Sequence, residues 1–183
     1  MFKPEIGKKI HGLKLLPLRR VGDERGWFLK NFSQELVEGG ISLNVKESFF
    51  NCSCRNVIRG MHLQIKEAAH DKIVTLITGH ILDVIVDLRI DSPSFGAVES
   101  FELVESPAAG VFIPAGCAHG FLTFAERNII AYLTSSFHVP SLDTGIRFDS
   151  FGFTWPAEAP TISARDAALP HPDEFLKFLG AGK

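Results

Sequence analysis

The segment Arg59-Gly60-Met61-His62-Leu63-Gln64 sets a guanidinium and an imidazole a few residues apart, with a glycine between them. Histidine is the natural general base near neutral pH. Arginine is the natural fork for phosphate, and glycine lets a backbone or ligand approach closely. A second segment, Ile113-Pro114-Ala115-Gly116-Cys117-Ala118-His119-Gly120-Phe121, turns into another histidine between small residues. Lys72 opens an apolar run, Tyr132 is the sole tyrosine and sits inside another, and Ser163-Ala164-Arg165-Asp166 adds a carboxylate near the C-terminus. Each also has a plain structural reading: a hydrogen-bonded histidine, a solvated lysine, a packed tyrosine, a surface loop.

The elements that must position these residues read as strands. Short apolar runs between Gly and Pro turns cover residues 27–32, 45–54, 57–63, 72–78, 81–88, 101–105, 110–114, 120–124 and 129–134. Gly79-His80 reads as a two-residue hairpin joining the fourth and fifth of these runs. In the fifth, Ile81, Asp83, Ile85 and Asp87 share one face by period-two alternation. Two acids on one strand face need solvent or partners, which predicts a polar cavity on that side. Residues 33–39 read as a short helix with Ser33 as N-cap and Gly39 as stop, and residues 173–179 as a closing helix. The pattern predicts a mainly β fold, a sandwich or barrel and not an α/β sheet, in a single domain over residues 1–183.

Bulk properties narrow the function. A net charge of −2 gives no electrostatic case for nucleic acid or an anionic membrane. The N-terminal residues hold no apolar stretch of the signal-peptide kind, and the longest apolar runs are of strand length. Cys52, Cys54 and Cys117 form no Cys-x-x-Cys pair and leave one odd thiol. That predicts a reducing compartment, hence a cytoplasmic protein.

The chain resembles the dTDP-4-dehydrorhamnose 3,5-epimerase family. The resemblance is carried by Gly22-Asp23-Glu24-Arg25-Gly26-Trp27-Phe28, by the Arg59 and His119 segments, and by Asp83-Val84-Ile85-Val86-Asp87-Leu88-Arg89. Ser92-Pro93-Ser94-Phe95-Gly96, Pro140 through Gly145-Ile146, Trp155-Pro156 and Ser163 to Asp166 continue it in family order. It implies a cupin-type jelly-roll β-barrel that works without metal or other cofactor, usually as a homodimer. It implies a nucleotide-linked 4-keto-6-deoxy sugar as substrate. His62 matches the base, Tyr132 the acid on the opposite face, Asp166 the carboxylate that orients the histidine, and Lys72 the cation near the keto oxygen. Arg25, Arg59 and His119 match substrate-binding positions. Asp143, Arg165, Glu47 and His138 complete the expected substrate-contacting set. The chemistry is coherent: a proton beside a ketone needs a base, and the enolate oxygen needs a fixed charge. Inversion needs a proton returned from the other face, which a phenol can supply.

The sequence departs from the family pattern at the residues that read the sugar and the nucleotide. Lys30 stands where the family has Glu, Glu47 and Phe49 replace a Gln-x-Asn set, His138 holds the position of a stacking Tyr, and Asp143 replaces Glu. Two other functions compete with the epimerase. A metal-dependent cupin enzyme would draw ligands from His62, Gln64, Glu67, His70 and His119, although the expected His-x-His is His62-x-Gln64 here. A non-catalytic sugar-nucleotide binding protein would not need His62, Lys72, Tyr132 and Asp166 together.

Overall fold

The structure is a computed structural model that describes residues 5–33 and 41–180. The expected helix over 33–39 falls almost wholly outside the described residues. Among those described, strands β1 (Glu5–Ile6), β2 (Lys14–Pro17), β3 (Arg20–Asp23) and β4 (Gly26–Leu29) precede the barrel proper. The barrel strands are β5 (Glu47–Ser53), β6 (Ile58–Gln64), β7 (Lys72–Thr78) and β8 (His80–Asp87). They continue with β9 (Val98–Val104), β10 (Ala109–Ile113), β11 (Cys117–Thr123), β12 (Asn128–Thr134) and β13 (Asp143–Gly145). Two short helices follow, α1 (Ala164–Ala167) and α2 (Pro172–Gly180).

One antiparallel sheet runs β1-β2-β10-β7-β12-β5 and faces a second that runs β13-β6-β11-β8-β9, while β3 and β4 form a separate hairpin. This is the two-sheet jelly roll of the cupin type. The interior cluster draws Val74, Leu76, Val111, Ile113 and Ile130 from the first sheet and Ile81, Ile85, Leu103 and Phe121 from the second. The outer face of the second sheet buries Met61, Leu63, Val84 and Val86 under Trp155, Phe153 and Phe175 of α2. The outer face of the first packs Ile73, Phe112 and Leu133 against Ile41 and Leu43.

Two expectations change. Gly79-His80 does not close a hairpin: β7 pairs with β10 and β12, whereas β8 pairs with β11 and β9. The connection instead crosses between the sheets. Gly79 adopts a φ of +107°, and a Cβ there would stand 2.5 Å from Asn128 Oδ1. Glu105 accepts the Gly79 N–H and Asn128 accepts the His80 N–H, so side chains satisfy backbone groups that a hairpin ladder would have paired. The two acids of β8 also part company. Asp83 faces the interior beside His119. Asp87 lies at the strand's end, where Arg89, Ser92 and Ser94 donate to it. Those donors hold its carboxyl well below the usual range although burial opposes ionisation.

Candidate active site

A cavity of about 460 Å³ opens between the sheets. Period-two alternation turns Glu47, Phe49 and Asn51 of β5 into it, together with His119 and Phe121 of β11 and Tyr132 and Thr134 of β12. Strand register fixes the pairings: His119 lies opposite His62, and Tyr132 opposite Phe49. β6 reaches β11 closely because Gly60 carries no side chain. With its φ of +137°, a Cβ there would meet the Cα of Gly120 at 2.5 Å.

His62 and Asp166 form the first chemical pair, with Nε2 and Oδ1 2.8 Å apart. Asp166 reaches β6 from α1, whose N-cap Ser163 accepts the Asp166 N–H; the segment read as a loop is thus a short helix. The other Asp166 oxygen accepts the Gly60 N–H at 3.1 Å. Burial works against the carboxylate, but the hydrogen bond and charge of His62 and the Gly60 N–H outweigh it, and its pKa is lowered. An ionised Asp166 accepts a hydrogen bond from Nε2–H and so leaves the histidine lone pair on Nδ1. The imidazole keeps 31% of its surface exposed, as a base that meets a ligand must.

His119 and Asp83 make a second pair at 2.7 Å, and both side chains are almost wholly buried. Burial lowers the His119 pKa, and Asp83 opposes that shift. Lys72 is not the solvated lysine of the plain reading. It is 8% exposed, and its Nζ donates to the His62 carbonyl at 3.3 Å. Desolvation pulls its pKa down to about 8, with the charge of Asp83 pulling upward. A compact cation thus stands beside the histidine with few partners of its own.

Tyr132 completes the interior. Its ring stacks on Phe49 at 4.8 Å with 9° between planes and meets His119 edge-on. Burial raises the phenol's pKa, opposed by the hydrogen bond from Asn51. Arg59 lines the cavity, its Nε donating to Ser53 Oγ.

The mouth holds the residues at which the sequence is unusual. Glu47 accepts the His138 backbone N–H. Asp143 faces His138 Nε2 at 3.2 Å and accepts from Arg165 at 2.8 Å. Arg25 is not brought to this cavity. It lies on the exposed β3–β4 hairpin, tied to Asp23, so one chain alone does not place it at the site. Residues that sequence reasoning passed over include Asn51, Phe121, Thr134 and Ser136. The alternation from Glu47 through Phe49 would have reached Asn51. The metal alternative fares poorly: among the described residues no three His, Cys, Asp or Glu side chains are grouped to hold an ion. Glu67 faces solvent, and Asp166 and Asp83 engage Nε2 of His62 and His119.

Comparison with known proteins agrees with this geometry. The chain matches the family described as dTDP-4-dehydrorhamnose 3,5-epimerase over residues 7–174. It is 36% identical to the dTDP-4-dehydrorhamnose 3,5-epimerase of Salmonella typhimurium, covering 93% of this chain and 96% of that one. The crystal structure of the Bacillus anthracis dTDP-4-dehydrorhamnose 3,5-epimerase with TDP and PPi superposes with a TM-score of 0.87 at 30% identity, covering 93% and 99% of the two chains. The Legionella pneumophila dTDP-6-deoxy-D-glucose-3,5-epimerase in complex with dTDP-4-keto-L-rhamnose gives 0.87 at 29% identity, covering 94% of each.

Proposed function

This chain belongs to the dTDP-4-dehydrorhamnose 3,5-epimerase family, and on that premise we propose that it epimerises C3, C5 or both of a nucleotide-linked 4-keto-6-deoxyhexose in deoxysugar biosynthesis. The observation that carries the residue assignments is the convergence of the His62–Asp166 pair, Lys72 and Tyr132 around one cavity. His62 takes the proton beside the C4 ketone, with Asp166 holding the imidazole and stabilising its charged form. Lys72 stabilises the enolate oxygen with charge fixed in a dry site. Tyr132 returns a proton from the other face, and Arg59 and His119 bind substrate.

The chain acts as a single domain and as a homodimer. Support for the dimer comes from the exposed hairpin, where Trp27 and Phe28 are 48% and 61% exposed, and from Phe50 at 64% on edge strand β5. A second chain would also bring an Arg25 toward a cavity that its own chain does not reach. Cys52, Cys54 and Cys117 are free thiols, and we place the protein in a reducing cytoplasm. Among the described residues no helix is long and apolar enough to cross a membrane.

The test is solvent-deuterium incorporation on a panel of nucleotide-linked 4-keto sugars, for the wild type and Tyr132→Phe. The wild type should label the inverted centres of its substrate. Tyr132→Phe should lose net epimerisation yet still wash deuterium in with retention, because His62 can give back what it took. Normal epimerisation in Tyr132→Phe would remove the phenol from the mechanism.

A further inference from the structure

Tyr132 Oη accepts a hydrogen bond from Asn51 Nδ2 at 3.0 Å, and among the described residues the phenol donates to no acceptor. Asn51 Oδ1 is buried with no partner. In this arrangement Asn51 holds the phenol oxygen from one side, and both side chains line the same cavity. Phe49, stacked flat on the ring, restricts the tyrosine to this pose.

From this geometry we infer that Asn51 is a positioning residue for the second proton transfer: it holds the Tyr132 oxygen from one side and so leaves the phenolic hydrogen for the substrate carbon. The inference rests on the reading of Tyr132 as the acid. In the step, the enolate π pair forms the new C–H bond with the phenolic proton. The O–H electron pair stays on the phenolate, which receives the Asn51 N–H hydrogen bond and later regains a proton from water. A hydrogen bond to an anionic oxygen is stronger than one to a neutral phenol, so Asn51 favours the products of that transfer.

The experiment compares Asn51→Ala and the isosteric Asn51→Asp with Tyr132→Phe, measuring net epimerisation and deuterium wash-in separately. Tyr132 is the only tyrosine, so [¹³Cζ]-tyrosine labelling gives one NMR resonance that reports the phenol's hydrogen bonding directly. Asn51→Ala should cut net epimerisation about 10- to 100-fold, the worth of one hydrogen bond to a charged oxygen, while wash-in through His62 stays within about threefold. Its tyrosine resonance should shift. Asn51→Asp should be worse at neutral pH, because a carboxylate accepts the phenolic proton, and should recover as acid protonates it. Asn51→Asp epimerising like wild type would mean that Asn51 accepts from Tyr132, and the inference falls. Equal losses of epimerisation and wash-in would also overturn it. If Tyr132→Phe is inactive while Asn51→Ala is normal, this inference alone fails. Full epimerisation in Tyr132→Phe sinks the Tyr132 reading itself.

Discussion

The floor of the cavity and its rim are built on different physics. On the floor, Asp83, Asp166, Lys72, His119 and Tyr132 are each 8% exposed or less, and the two acids face histidines at 2.7–2.8 Å. On the rim, the side chains of His138 and Arg165 are 55% and 52% exposed, and both lean on the single carboxylate of Asp143. Charges held out of water interact strongly and need no reorganisation when charge develops on a substrate. Ion pairs in water contribute about 0–1 kcal/mol. Of the departures from the family pattern, Glu47, His138 and Asp143 lie at the mouth, Phe49 stacks on Tyr132 inside, and Lys30 is exposed just after the β3–β4 hairpin, outside this cavity's lining. The floor fits the role of running proton transfer, and the rim that of choosing which sugar nucleotide is held over it.

The largest expected effect breaks the floor at its base. His62→Ala should abolish deuterium wash-in, with loss of a positioned base costing about 10²–10⁴-fold or more, while nucleotide binding and folding persist. Asp166→Asn should fall by orders of magnitude but less far, because the base remains and only its tautomer and charge are disturbed. Loss of folding in His62→Ala would return His62 to a structural role. Wild-type turnover in Asp166→Asn would remove the carboxylate from the mechanism.

Lys72 gives the next effect and ties activity to stability with opposite signs. Its folded pKa is about 8, below the ordinary lysine value of roughly 10.4. Below pH 8 both folded and unfolded chains carry the proton, and the folded chain bears the full cost of the buried charge. Between about 8 and 10.4 the unfolded chain binds more protons, so this group's contribution to stability improves as pH rises. Activity runs the other way, because the enolate needs the ammonium: kcat/KM should fall as pH climbs through about 8. Lys72→Met should lose about 10²–10³-fold in kcat yet melt higher than wild type at pH 7. Lys72→Arg should push the alkaline limb well above 8. An unmoved limb in Lys72→Arg would assign it to another group.

Much of this contrast was legible in the sequence, for physical reasons. Period-two alternation and Gly/Pro punctuation located β5 to β12 to within a few residues, because half-buried strands impose that pattern. The crossing at Gly79 was not legible, since a glycine turn looks alike whether the chain returns to the same sheet or enters the other; Glu105 and Asn128, far away in sequence, decide it. Strands β1, β2 and β13 are too short to show alternation. His62, Lys72, Tyr132 and Asp166 were named from the family resemblance, and the fold brings them together. The solvated reading of Lys72 and the surface-loop reading of Asp166 failed on burial, which a single sequence does not display for a lysine at a strand's start. Asn51 carries no motif of its own, and only the alternation from Glu47 through Phe49 points to it.

The smallest effect belongs to the rim and sharpens the division. His138→Ala removes one exposed contact to Asp143, and Arg165 still holds that carboxylate. An exposed pair contributes about 0–1 kcal/mol, so KM should rise by no more than about fivefold, with kcat and deuterium wash-in near normal. Asp143→Asn removes the charge on which both partners lean and should raise KM somewhat further, still without touching kcat. The pair of variants combined should cost little more than Asp143→Asn alone, because the histidine contact is already weakened in it. A fall in kcat in His138→Ala would mean that the rim takes part in the chemistry. If that loss were confined to net epimerisation and Tyr132→Phe were active, His138 would be the proton donor. Its imidazole, at the cavity's mouth, would then replace the buried phenol as the group that completes inversion.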